Sequence, residues 1–205
     1  MQNIKNIIFD LGGVFIEIDY PKTEKAFIKL GVINFNEFYN QHHASDLFEN
    51  LETGKASADE FYDAFREKIQ TDLSNADIKN AWNAMLGKFY PKHLKLLEKL
   101  RDQYKVVLFS NTNIIHYEAF QKIYREQTGN DTFDDYFIAA HYSHVLGLRK
   151  PYPEAFKAVL QKENLVAKET LFIDDTIKNI EGAKKVGLNT IWLESPETLI
   201  DALKQ

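Results

Sequence analysis

The stretch Ile7-Ile8-Phe9-Asp10-Leu11-Gly12-Gly13-Val14 joins a short apolar run to a carboxylate and two consecutive glycines. Apolar runs of this length that end at turn residues are typical of strands buried on both faces of a sheet. In open parallel α/β sheets, ligands bind in the crevice beyond the carboxyl ends of the strands, and Asp10 would lie there. Glycine lets the backbone turn tightly and approach a ligand closely. The stretch therefore predicts a central strand that carries Asp10 into a ligand site, with a turn-capping role for Asp10 as the structural alternative.

Short apolar runs alternate with amphipathic helical patterns in the second half of the chain. The strands predicted after the first one cover residues 106–109, 136–140, 170–173 and 190–193. The helix after residue 175 is predicted to face the sheet with Ile177, Ile180 and Val186 and to end at Gly187. Strands that alternate with helices indicate parallel βαβ units, because each helix returns the chain to the same edge of the sheet. The predicted fold class is therefore α/β, with a doubly wound, Rossmann-like parallel sheet.

The first two predicted strands are too far apart for a simple βαβ unit, since roughly 70 residues separate them beyond the ~30 that such a unit needs. We therefore predict that residues 15–88 form a helical cap inserted after the first strand. Residues 1–14 and 89–205 would then form the core.

Local signals within the insertion predict several helices. Residues 15–19 are expected to form an extended flap, and no buried strand is predicted between Gly31 and Gly87. Ser57-Ala58-Asp59-Glu60 has the pattern of a capping box at the start of a helix. Ser74 begins another predicted helix, and Gly87 is its predicted end.

The composition excludes several classes of function. The chain has 205 residues, a net charge of −5 and no run of basic residues, so a nucleic acid partner is not expected. The absence of cysteine excludes disulfides, thiolate metal sites and a cysteine nucleophile. No apolar stretch approaches the ~20 residues that span a bilayer, and no signal-peptide pattern opens the chain. We therefore expect a cytoplasmic protein without a membrane partner.

Polar side chains follow the ends of several predicted strands or lie in the loops beyond them. They are Asp10, Ser110, Lys150, Asp174 and Asp175. Because parallel strands end at the same edge of a sheet, these groups are predicted to meet. Clustered carboxylates without a thiolate indicate a hard cation, and Mg²⁺ with few protein ligands fits best. A cation, a lysine and a hydroxyl form a receptor for a phosphoryl group, and an ionised carboxylate aimed at phosphorus can form an acyl phosphate.

Each of these residues also has a purely structural interpretation. Ser110 could cap the following helix, Lys150 could be a solvated loop residue, and the pair Asp174 and Asp175 could cap another helix. The combination favours catalysis, because four independent structural explanations would have to coincide on one sheet edge.

Four ordered motifs resemble those of the haloacid dehalogenase (HAD) superfamily. They are Phe9-Asp10-Leu11-Gly12-Gly13-Val14, Ser110-Asn111-Thr112-Asn113, Gly147-Leu148-Arg149-Lys150-Pro151 and Phe172-Ile173-Asp174-Asp175. The resemblance spans the predicted core, and the helical insertion is similar to the superfamily's cap. Gly12 and residues 174–183 are similar to the α-D-glucose-1-phosphate phosphatase branch.

This resemblance implies a role for each matching residue. The catalytic residues would be Asp10 and Lys150, with Asp10 acting as nucleophile and as a ligand of Mg²⁺. The carbonyl oxygen of Gly12 would be a second metal ligand. Asp175 would bind the metal directly and Asp174 through water, in an order that the sequence leaves open. The remaining implied roles are phosphoryl binding by Ser110, Asn111, Gly13 and Lys150, and support of the metal loop by Asn179.

One position departs from most phosphatases of the superfamily, which carry an aspartate two residues after the nucleophile as general acid and base. This chain has Gly12 there, and a general acid–base typically contributes ~10²–10⁴-fold to the rate. Three explanations are compatible with the sequence: a good leaving group, a substitute side chain from the flap or cap, or slow turnover. The candidate substitutes are Glu17, Asp19, His42 and His43.

The main functional hypothesis is a Mg²⁺-dependent phosphohydrolase that acts on a small phosphorylated metabolite, such as a hexose 1-phosphate. The cap would close over the substrate, with His42, His43 and Phe48 as predicted contacts, unless these residues belong to a solvated turn or to the cap interior. A 2-haloacid dehalogenase is the first alternative. It is disfavoured because its chemistry needs no metal, whereas the pair Asp174 and Asp175 needs a cation to offset its charge. A weakly active binding module is the second, and Gly12 is the feature that favours it. The oligomeric state stays open.

Overall fold

Five parallel strands form the main sheet of the protein. The computed structural model describes residues 3–40 and 43–203. In spatial order the strands are β7 (Ala139–Tyr142), β6 (Lys105–Ser110), β1 (Asn6–Phe9), β8 (Thr170–Asp174) and β9 (Asn189–Trp192). All four pairings between neighbouring strands are parallel. The predicted α/β fold class is therefore confirmed, and the strand that contains the first motif lies at the centre of the sheet.

The side chains of β1 alternate between the two faces of the sheet, as the period of a strand requires. Ile7 and Phe9 pack on one face and Ile8 packs on the other, and all three are completely buried. The first face is covered by α6 (Pro91–Leu100), α7 (Ile114–Thr128) and α11 (Leu199–Ala202), and the second by α9 (Pro153–Lys162) and α10 (Ile177–Lys184). Helices on both faces explain why the strand is a continuous apolar run.

The register of the sheet brings the predicted site residues to one edge. Phe9 of β1 pairs with Leu108 of β6 and with Ile173 of β8. Asp10 therefore follows β1 at the level where β8 reaches Asp174. The backbone N–H of Asp10 donates to the carbonyl oxygen of Ile173 at 2.9 Å, which continues the ladder by one residue.

Five helices form a second unit with its own apolar cluster. They are α1 (Tyr20–Lys29), α2 (Phe35–Phe38), α3 (Asp46–Glu52), α4 (Ala58–Ile69) and α5 (Asn75–Asn83), with a short hairpin of β3 (Tyr39–Asn40) and β4 (His43–Ala44) between α2 and α3. The cluster is rich in buried aromatic side chains, namely Phe27, Phe35, Phe48, Phe61, Phe65 and Trp82. We call this unit the cap. Its predicted limits at residues 15 and 88 stay a prediction.

Local capping signals define two of the cap helices. The N–H of Glu60 donates to Ser57 Oγ at 3.3 Å, and the Glu60 carboxylate accepts from the N–H of Ser57 at 2.8 Å. Ser74 and Asp77 make the same reciprocal pair at the start of α5. Both predicted helix starts are therefore confirmed, because each box satisfies backbone donors that the first turn leaves free.

Two antiparallel strands connect the cap to the core. They are β2 (Ile16–Ile18), which lies within the predicted flap, and β5 (Leu86–Phe89). The prediction that Gly87 ends a helix is wrong, because α5 ends at Asn83 and Gly87 lies in β5. Strand β5 is buried at Phe89 alone, so it lacks the continuous apolar run of a buried strand. This pairing joins residues about 70 positions apart, so local sequence signals do not reveal it.

Three smaller differences from the sequence predictions concern the core. The strand expected at residues 136–140 lies at Ala139–Tyr142, after a 3₁₀ turn at Phe133–Tyr136 that Thr132 caps through Asp134. Ile177 does not face the sheet as its spacing suggests, since 43% of it is exposed, while Ile180 and Ala183 pack inward. Helix α10 ends at Lys184, and Gly187 lies in the turn that follows.

The remaining core elements are short. They are α8 (Ser143–Leu146) and 3₁₀ turns at Ala167–Glu169 and Pro196–Thr198. Within the described part of the chain, none of the helices has the length and apolar character needed to cross a bilayer.

Candidate active site

Lys150 lies at the centre of the candidate site. Its Nζ donates to Asp10 Oδ1 and to Asp174 Oδ2, each at 2.7 Å, and to the carbonyl oxygen of Phe109 at 2.9 Å. The residue is only 1% exposed, and its ammonium lies 5.4 Å from the ring centroids of Phe109 and Phe172. Lys150 is therefore not a solvated loop residue. It joins the ends of β1, β6 and β8 through one buried cation.

The loop of Lys150 is held in place by Asn111. The Asn111 amide accepts from the N–H of Lys150 and donates to the Lys150 carbonyl oxygen, both at 2.9 Å. Asn111 was predicted to bind a phosphoryl group. Because its side chain is engaged with the Lys150 backbone, we expect any such contact to come from the Asn111 N–H.

Ser110 ends β6 and lies in the wall of the same cavity, with 3% of its surface exposed. It does not cap α7, because the N-cap of that helix is Asn113, whose Oδ1 accepts from the N–H of His116 at 3.0 Å. The capping alternative for Ser110 is therefore excluded. Thr112 is held by a reciprocal pair of 2.9 Å hydrogen bonds with the hydroxyl of Ser143, which fixes the turn between β6 and α7.

Asp174 is completely buried and hydrogen-bonded on both of its oxygens. Oδ1 accepts from the N–H of Thr176 at 2.8 Å, and Asn179 Nδ2 lies 3.0 Å from Oδ1 and from Oδ2. Together with Lys150, these donors occupy most of the acceptor capacity of the carboxylate. Asn179 thus contacts the acidic pair, at the position where it was predicted to support the metal loop.

Asp175 lies closer to the first motif. Its carboxylate accepts from Thr176 Oγ1 at 3.0 Å, and its carbonyl oxygen accepts from the indole N–H of Trp192 at 2.9 Å. Gly13 has a φ of +66°, and a Cβ there would lie 2.3 Å from Asp175 Oδ2. Only glycine permits both this backbone conformation and this close approach. The second glycine of the motif is therefore required by the position of Asp175.

Gly182 serves a similar steric purpose on α10. A Cβ at this position would lie 2.1 Å from the carbonyl oxygen of Pro151. The glycine lets the helix that follows the acidic pair pack directly on the loop of Lys150. The spacing between Asp175 and Gly182 thus positions the acidic pair relative to the lysine.

The electrostatics of the site depend on burial and on Lys150. Burial raises the pKa of Asp10 to about 7, against the opposing effect of Lys150 and with a further increase from Asp174 and Asp175. Burial and the charge of Asp174 raise the pKa of Asp175 to about 6. Burial alone would lower the pKa of Lys150, but Asp10 and Asp174 outweigh it and raise the pKa above its usual value. The lysine is therefore charged at neutral pH, and more positive charge is needed to ionise all the carboxylates fully.

The three carboxylates fit a divalent cation. Ligand oxygens of Asp10, Asp174 and Asp175 all lie within 4.8 Å of one another. Hard oxygen donors with few protein ligands are the environment that Mg²⁺ prefers. A cation bound there would also lower the raised pKa values of Asp10 and Asp175. The carboxylates of Asp10 and Asp175 accept fewer hydrogen bonds than that of Asp174 and so have more capacity to bind a metal. This agrees with the implied roles, in which Asp10 and Asp175 bind Mg²⁺ directly and Asp174 binds it through water, but it does not test them.

A cavity of about 360 Å³ opens above these residues. Its lining includes Asp10, Gly12, Ser110, Asn111, Lys150, Asp175 and Asn179 from the core, and residues of the cap form the opposite wall. The cavity is within the size range of small-molecule sites. The structure thus brings these predicted core residues together in one pocket beneath the cap, whereas Gly13 and Asp174 are not part of its wall.

The predicted replacements for the acid–base group do not line this cavity where they are described. Glu17 is exposed in β2, and Asp19 pairs with Lys22 at 3.3 Å. His42 and the side chain of His43 lie outside the described residues. A side chain at position 12 would meet the flap, because a Cβ on Gly12 would lie 3.1 Å from Ile18 Cγ1.

The predicted cap contact Phe48 is completely buried in the aromatic cluster and is absent from the cavity wall. Its role is packing. The cavity wall instead contains polar side chains to which no role was assigned from the sequence, namely Tyr20, Tyr39, Glu49 and Glu52 from the cap and Arg149 and His116 from the core. Of these residues, Arg149 had a local sequence signal, because it directly precedes Lys150 in the third motif.

Comparison with known proteins identifies the family. A model described as haloacid dehalogenase-like hydrolase matches residues 4–187. The chain belongs to the haloacid dehalogenase-like hydrolases. The resemblance inferred from the four motifs is therefore confirmed for this family, while the narrower likeness to α-D-glucose-1-phosphate phosphatases stays a prediction.

Relatives of the HAD-like hydrolase match nearly its whole length. A D-ribitol-5-phosphate phosphatase from Bacteroides thetaiotaomicron is 34% identical over 94% of this chain and 93% of that protein. A glyceraldehyde 3-phosphate phosphatase from Pyrococcus furiosus is 30% identical over 95% of this chain and 82% of that protein. A variant of a HAD-family enzyme from Bacteroides thetaiotaomicron, solved with magnesium and inorganic phosphate, has a TM-score of 0.92 and 34% identity, covering 98% of this chain and 100% of that one. The HAD-like hydrolase is thus an enzyme, and the expected cofactor Mg²⁺ agrees with the ion in that complex.

Proposed function

We propose that this HAD-like hydrolase is a Mg²⁺-dependent phosphohydrolase of small sugar or polyol phosphates that acts through an aspartyl phosphate on Asp10. The observation that carries the proposal is the position of Lys150 Nζ, 2.7 Å from both Asp10 and Asp174. A buried cation there favours ionised carboxylates and offers positive charge to an incoming phosphoryl group.

In the first step, a carboxylate oxygen of Asp10 attacks phosphorus and the ester P–O bond breaks. The products are an acyl phosphate on Asp10 and the alcohol, once its oxygen has taken a proton. Lys150 contacts the reacting carboxylate and Ser110 lines the same cavity, and both would stabilise the phosphoryl oxygens. Mg²⁺ held by Asp10 and Asp175 would neutralise charge on the phosphoryl group.

In the second step, water attacks phosphorus, the P–O bond to Asp10 breaks, and the carboxylate and inorganic phosphate are released. Attack at phosphorus returns both original oxygens to Asp10. The described atoms that would lie within 4 Å of a Cβ on Gly12 belong to Ile18, so none of the described carboxylates or histidines lies against this position. Proton transfer at the leaving oxygen is therefore the step for which this chain offers least assistance.

The two candidate substrate classes make different demands on that step. The anomeric oxygen of a hexose 1-phosphate is a better leaving group than a primary alkoxide and needs less protonation. The Bacteroides relative is named for ribitol 5-phosphate, whose phosphate is on a primary alcohol. The polar cap wall suits hydroxyl-bearing substrates of both classes. The leaving group thus distinguishes hexose 1-phosphates from polyol 5-phosphates, and the pKa of the leaving alcohol is the variable to test.

A 2-haloacid dehalogenase would use the same nucleophile without a metal. Three carboxylates within 4.8 Å of one another disfavour this alternative. Without a metal ion, the positive charge of one buried lysine would have to offset the repulsion between all three. A binding module without activity would have no need for a buried lysine shared by Asp10 and Asp174. Both alternatives remain as outcomes of the experiment.

The proposal is tested by phosphate release from a panel of hexose 1-phosphates, pentitol 5-phosphates and triose phosphates, with Mg²⁺ and with EDTA. We expect Mg²⁺-dependent release, lost by ~10⁴-fold or more in Asp10→Asn because the nucleophile is removed. Asp131→Asn, on an exposed loop, is the matched control and should retain wild-type turnover.

Three results would contradict the proposal. Wild-type turnover in Asp10→Asn would remove the nucleophile assignment. Halide release from 2-chloropropionate in EDTA would support the dehalogenase. Absence of phosphate release, together with no thermal stabilisation by Mg²⁺ plus beryllium fluoride, would support a binding module.

A further inference from the structure

His93 is a buried histidine of the core that does not line the substrate cavity. It lies in the first turn of α6, shortly after β5 returns the chain from the cap to the core. Only 5% of the residue is exposed, so its polar ring atoms depend on partners within the protein. A buried histidine that takes no part in the proposed chemistry requires another explanation.

The partner of His93 is the loop that follows Asp10. His93 Nδ1 lies 2.6 Å from the carbonyl oxygen of Val14. A carbonyl oxygen can only accept a hydrogen bond, so Nδ1 carries the hydrogen and donates it. Because both residues are buried, this bond is stronger than it would be in water. The imidazole also packs against the ring of Tyr90, with 5.1 Å between the ring centroids, which limits the orientations that it can adopt.

The loop itself is a tight turn, and α6 holds its far end. Within the turn, the carbonyl oxygen of Leu11 accepts from three backbone N–H groups, the shortest of these bonds being 2.8 Å. The start of α6 adds two bonds from outside the turn. One is the bond from His93 to Val14, and the other runs from the N–H of Tyr90 to the carbonyl oxygen of Phe15 at 2.9 Å. The position of the turn in the core therefore depends on these two donors.

Small displacements of this loop matter because it passes close to the acidic pair. A Cβ on Gly13 would lie 2.3 Å from Asp175 Oδ2, so the backbone approaches the carboxylate with no room for a side chain. The carbonyl oxygen of Gly12, an implied ligand of Mg²⁺, belongs to the same turn. Mg²⁺ demands near-octahedral geometry with ligand distances of about 2.0–2.1 Å. A loop that moved by a fraction of an ångström would therefore bind the ion less tightly.

We propose that His93 is a positioning residue that holds the loop of Gly12 and Gly13 in the geometry that binds Mg²⁺. The inference rests on the proposed phosphohydrolase function, because it concerns the metal site of that reaction. His93 acts through the Val14 carbonyl and does not line the cavity. Without its N–H, this buried carbonyl would lose its donor, and the turn would shift to recover one. Partners one step removed from the ligands typically contribute ~10–100-fold to metal affinity.

Calorimetric titration of the full-length protein with Mg²⁺ alone tests the proposal. His93→Leu should raise the dissociation constant for Mg²⁺ by about 10-fold, since leucine offers no donor to Val14. His93→Asn should restore most of the wild-type affinity, because asparagine Nδ2 is bonded to Cγ as histidine Nδ1 is and can make the same hydrogen bond. His93→Gln should bind as weakly as His93→Leu, because its amide nitrogen lies one bond further from the backbone.

The comparison separates positioning from packing. All three variants lose the imidazole ring and should be less stable in urea, whereas Mg²⁺ affinity should follow the donor to Val14. His141→Leu is the matched control, because His141 is a half-buried histidine on the edge strand β7, bonded to Glu163 at 2.9 Å and absent from the cavity wall. It should leave the dissociation constant unchanged. At saturating Mg²⁺, KM for p-nitrophenyl phosphate should keep its wild-type value in every variant.

Equal Mg²⁺ affinity in the wild type and His93→Leu, or an His93→Asn variant as weak as His93→Leu, would overturn the proposal. If His93→Leu fails to fold, His93→Asn and His93→Gln give the same comparison, and equal affinities in that pair would overturn it. Failure of the proposed function gives a different result. A wild-type protein that binds Mg²⁺ but releases phosphate from no monoester refutes the phosphohydrolase, while the titrations still decide the role of His93. A wild-type protein that does not bind Mg²⁺ refutes both.

Discussion

The sheet edge and the cap line the same cavity but treat their polar groups differently. At the sheet edge, Lys150 donates three hydrogen bonds and Asp174 is bonded on both oxygens. On the cap side, the buried carboxylate of Glu52 lies 3.1 Å from Arg149 Nη2 of the core and accepts a hydrogen bond from the Tyr39 hydroxyl. The comparison teaches that the sheet edge is organised around one lysine shared by two carboxylates, whereas the polar groups of the cap wall are organised around ion pairs that join the cap to the core.

The two regions also differ in how they are packed. The strands of the sheet pack against helices on both faces, in clusters that mix aliphatic and aromatic side chains. The cap has an aromatic centre in which Phe27 stacks on Phe35 at 4.3 Å and Trp82 stacks on the imidazole of His116 at 4.4 Å. His116 belongs to α7 of the core, so this second contact anchors the cap to the core. Substitutions at the sheet edge should therefore alter chemistry, and substitutions in the cap centre should alter stability.

The largest combined effect is expected at the sheet edge, for Lys150→Met. Removing the cation leaves Asp10 and Asp174 buried without their partner, which costs about 3–5 kcal/mol of unfolding free energy. Turnover should also fall by ~10²–10³-fold, because a donor to the phosphoryl oxygens is lost. Urea unfolding and phosphate release measure the two effects. Lys157→Met on the exposed side of α9 should change neither, and an equal loss in both variants would contradict the central role of Lys150.

In the cap, Phe48→Ala should reduce the unfolding free energy by about 3–5 kcal/mol, because it leaves a void in a completely buried aromatic cluster. Ile33→Ala is a suitable control, since Ile33 is 74% exposed and should cost less than about 0.5 kcal/mol. The milder Phe48→Leu should leave KM for the phosphorylated substrate at its wild-type value. A change in KM without a change in stability would restore Phe48 as a substrate contact.

The junction of the two regions should respond to pH through His116. Burial lowers the pKa of His116 to about 4, against the opposing effect of its 3.1 Å hydrogen bond to the Trp82 carbonyl oxygen. Between pH 6.5 and 4 the unfolded chain binds a proton that the folded chain does not, so stability falls as the pH is lowered through this range. The loss reaches about 3 kcal/mol at pH 4, and above pH 6.5 the residue contributes no pH dependence.

His116→Gln isolates this contribution, because glutamine can still donate to the Trp82 carbonyl oxygen without titrating. Urea unfolding at several pH values should show that the difference between wild type and His116→Gln changes between pH 6.5 and 4. A constant difference over that range would show that His116 does not remain neutral in the folded state.

The smallest effect is expected for Trp192→Phe, at the sheet edge. The substitution removes the indole N–H that donates to the Asp175 carbonyl oxygen. Losing one such hydrogen bond costs about 1 kcal/mol, which corresponds to roughly a fivefold weaker affinity for Mg²⁺ if the bond orients Asp175. Calorimetric titration with Mg²⁺ measures this directly. Unchanged affinity would mean that the loop holds Asp175 without Trp192.

The sheet edge could be predicted from the sequence because its signals are local. Each strand end and its polar group are defined within a few residues. The signals are the apolar run before Asp10, the glycines at positions 12 and 13, and the acid pair after residue 173. The parallel arrangement then requires that these ends meet. The sequence also predicted the cap helices that begin at Ser57 and Ser74, since a capping box is equally local.

The cap wall could not be predicted in the same way. The pairing of β2 with β5 and the contacts of Arg149 with Glu49 and Glu52 join segments that are about 70 and 100 residues apart. No local pattern distinguishes Glu52 from the other acidic residues on cap helices, because its burial results from tertiary packing. For the same reason the sequence left two interpretations of Phe48 open, since a substrate contact and a core position both fit it.

The central claim is that Asp10, at the sheet edge, is the nucleophile whose carboxylate oxygen attacks phosphorus. The most direct test is acid quenching of the enzyme during turnover with Mg²⁺ and substrate, followed by borohydride reduction and peptide mass spectrometry. An aspartyl phosphate at Asp10 would appear as reduction of that aspartate to homoserine, dependent on both substrate and Mg²⁺. Reduction of Asp174 or Asp175 instead, or none at any aspartate while phosphate is released, would contradict the account.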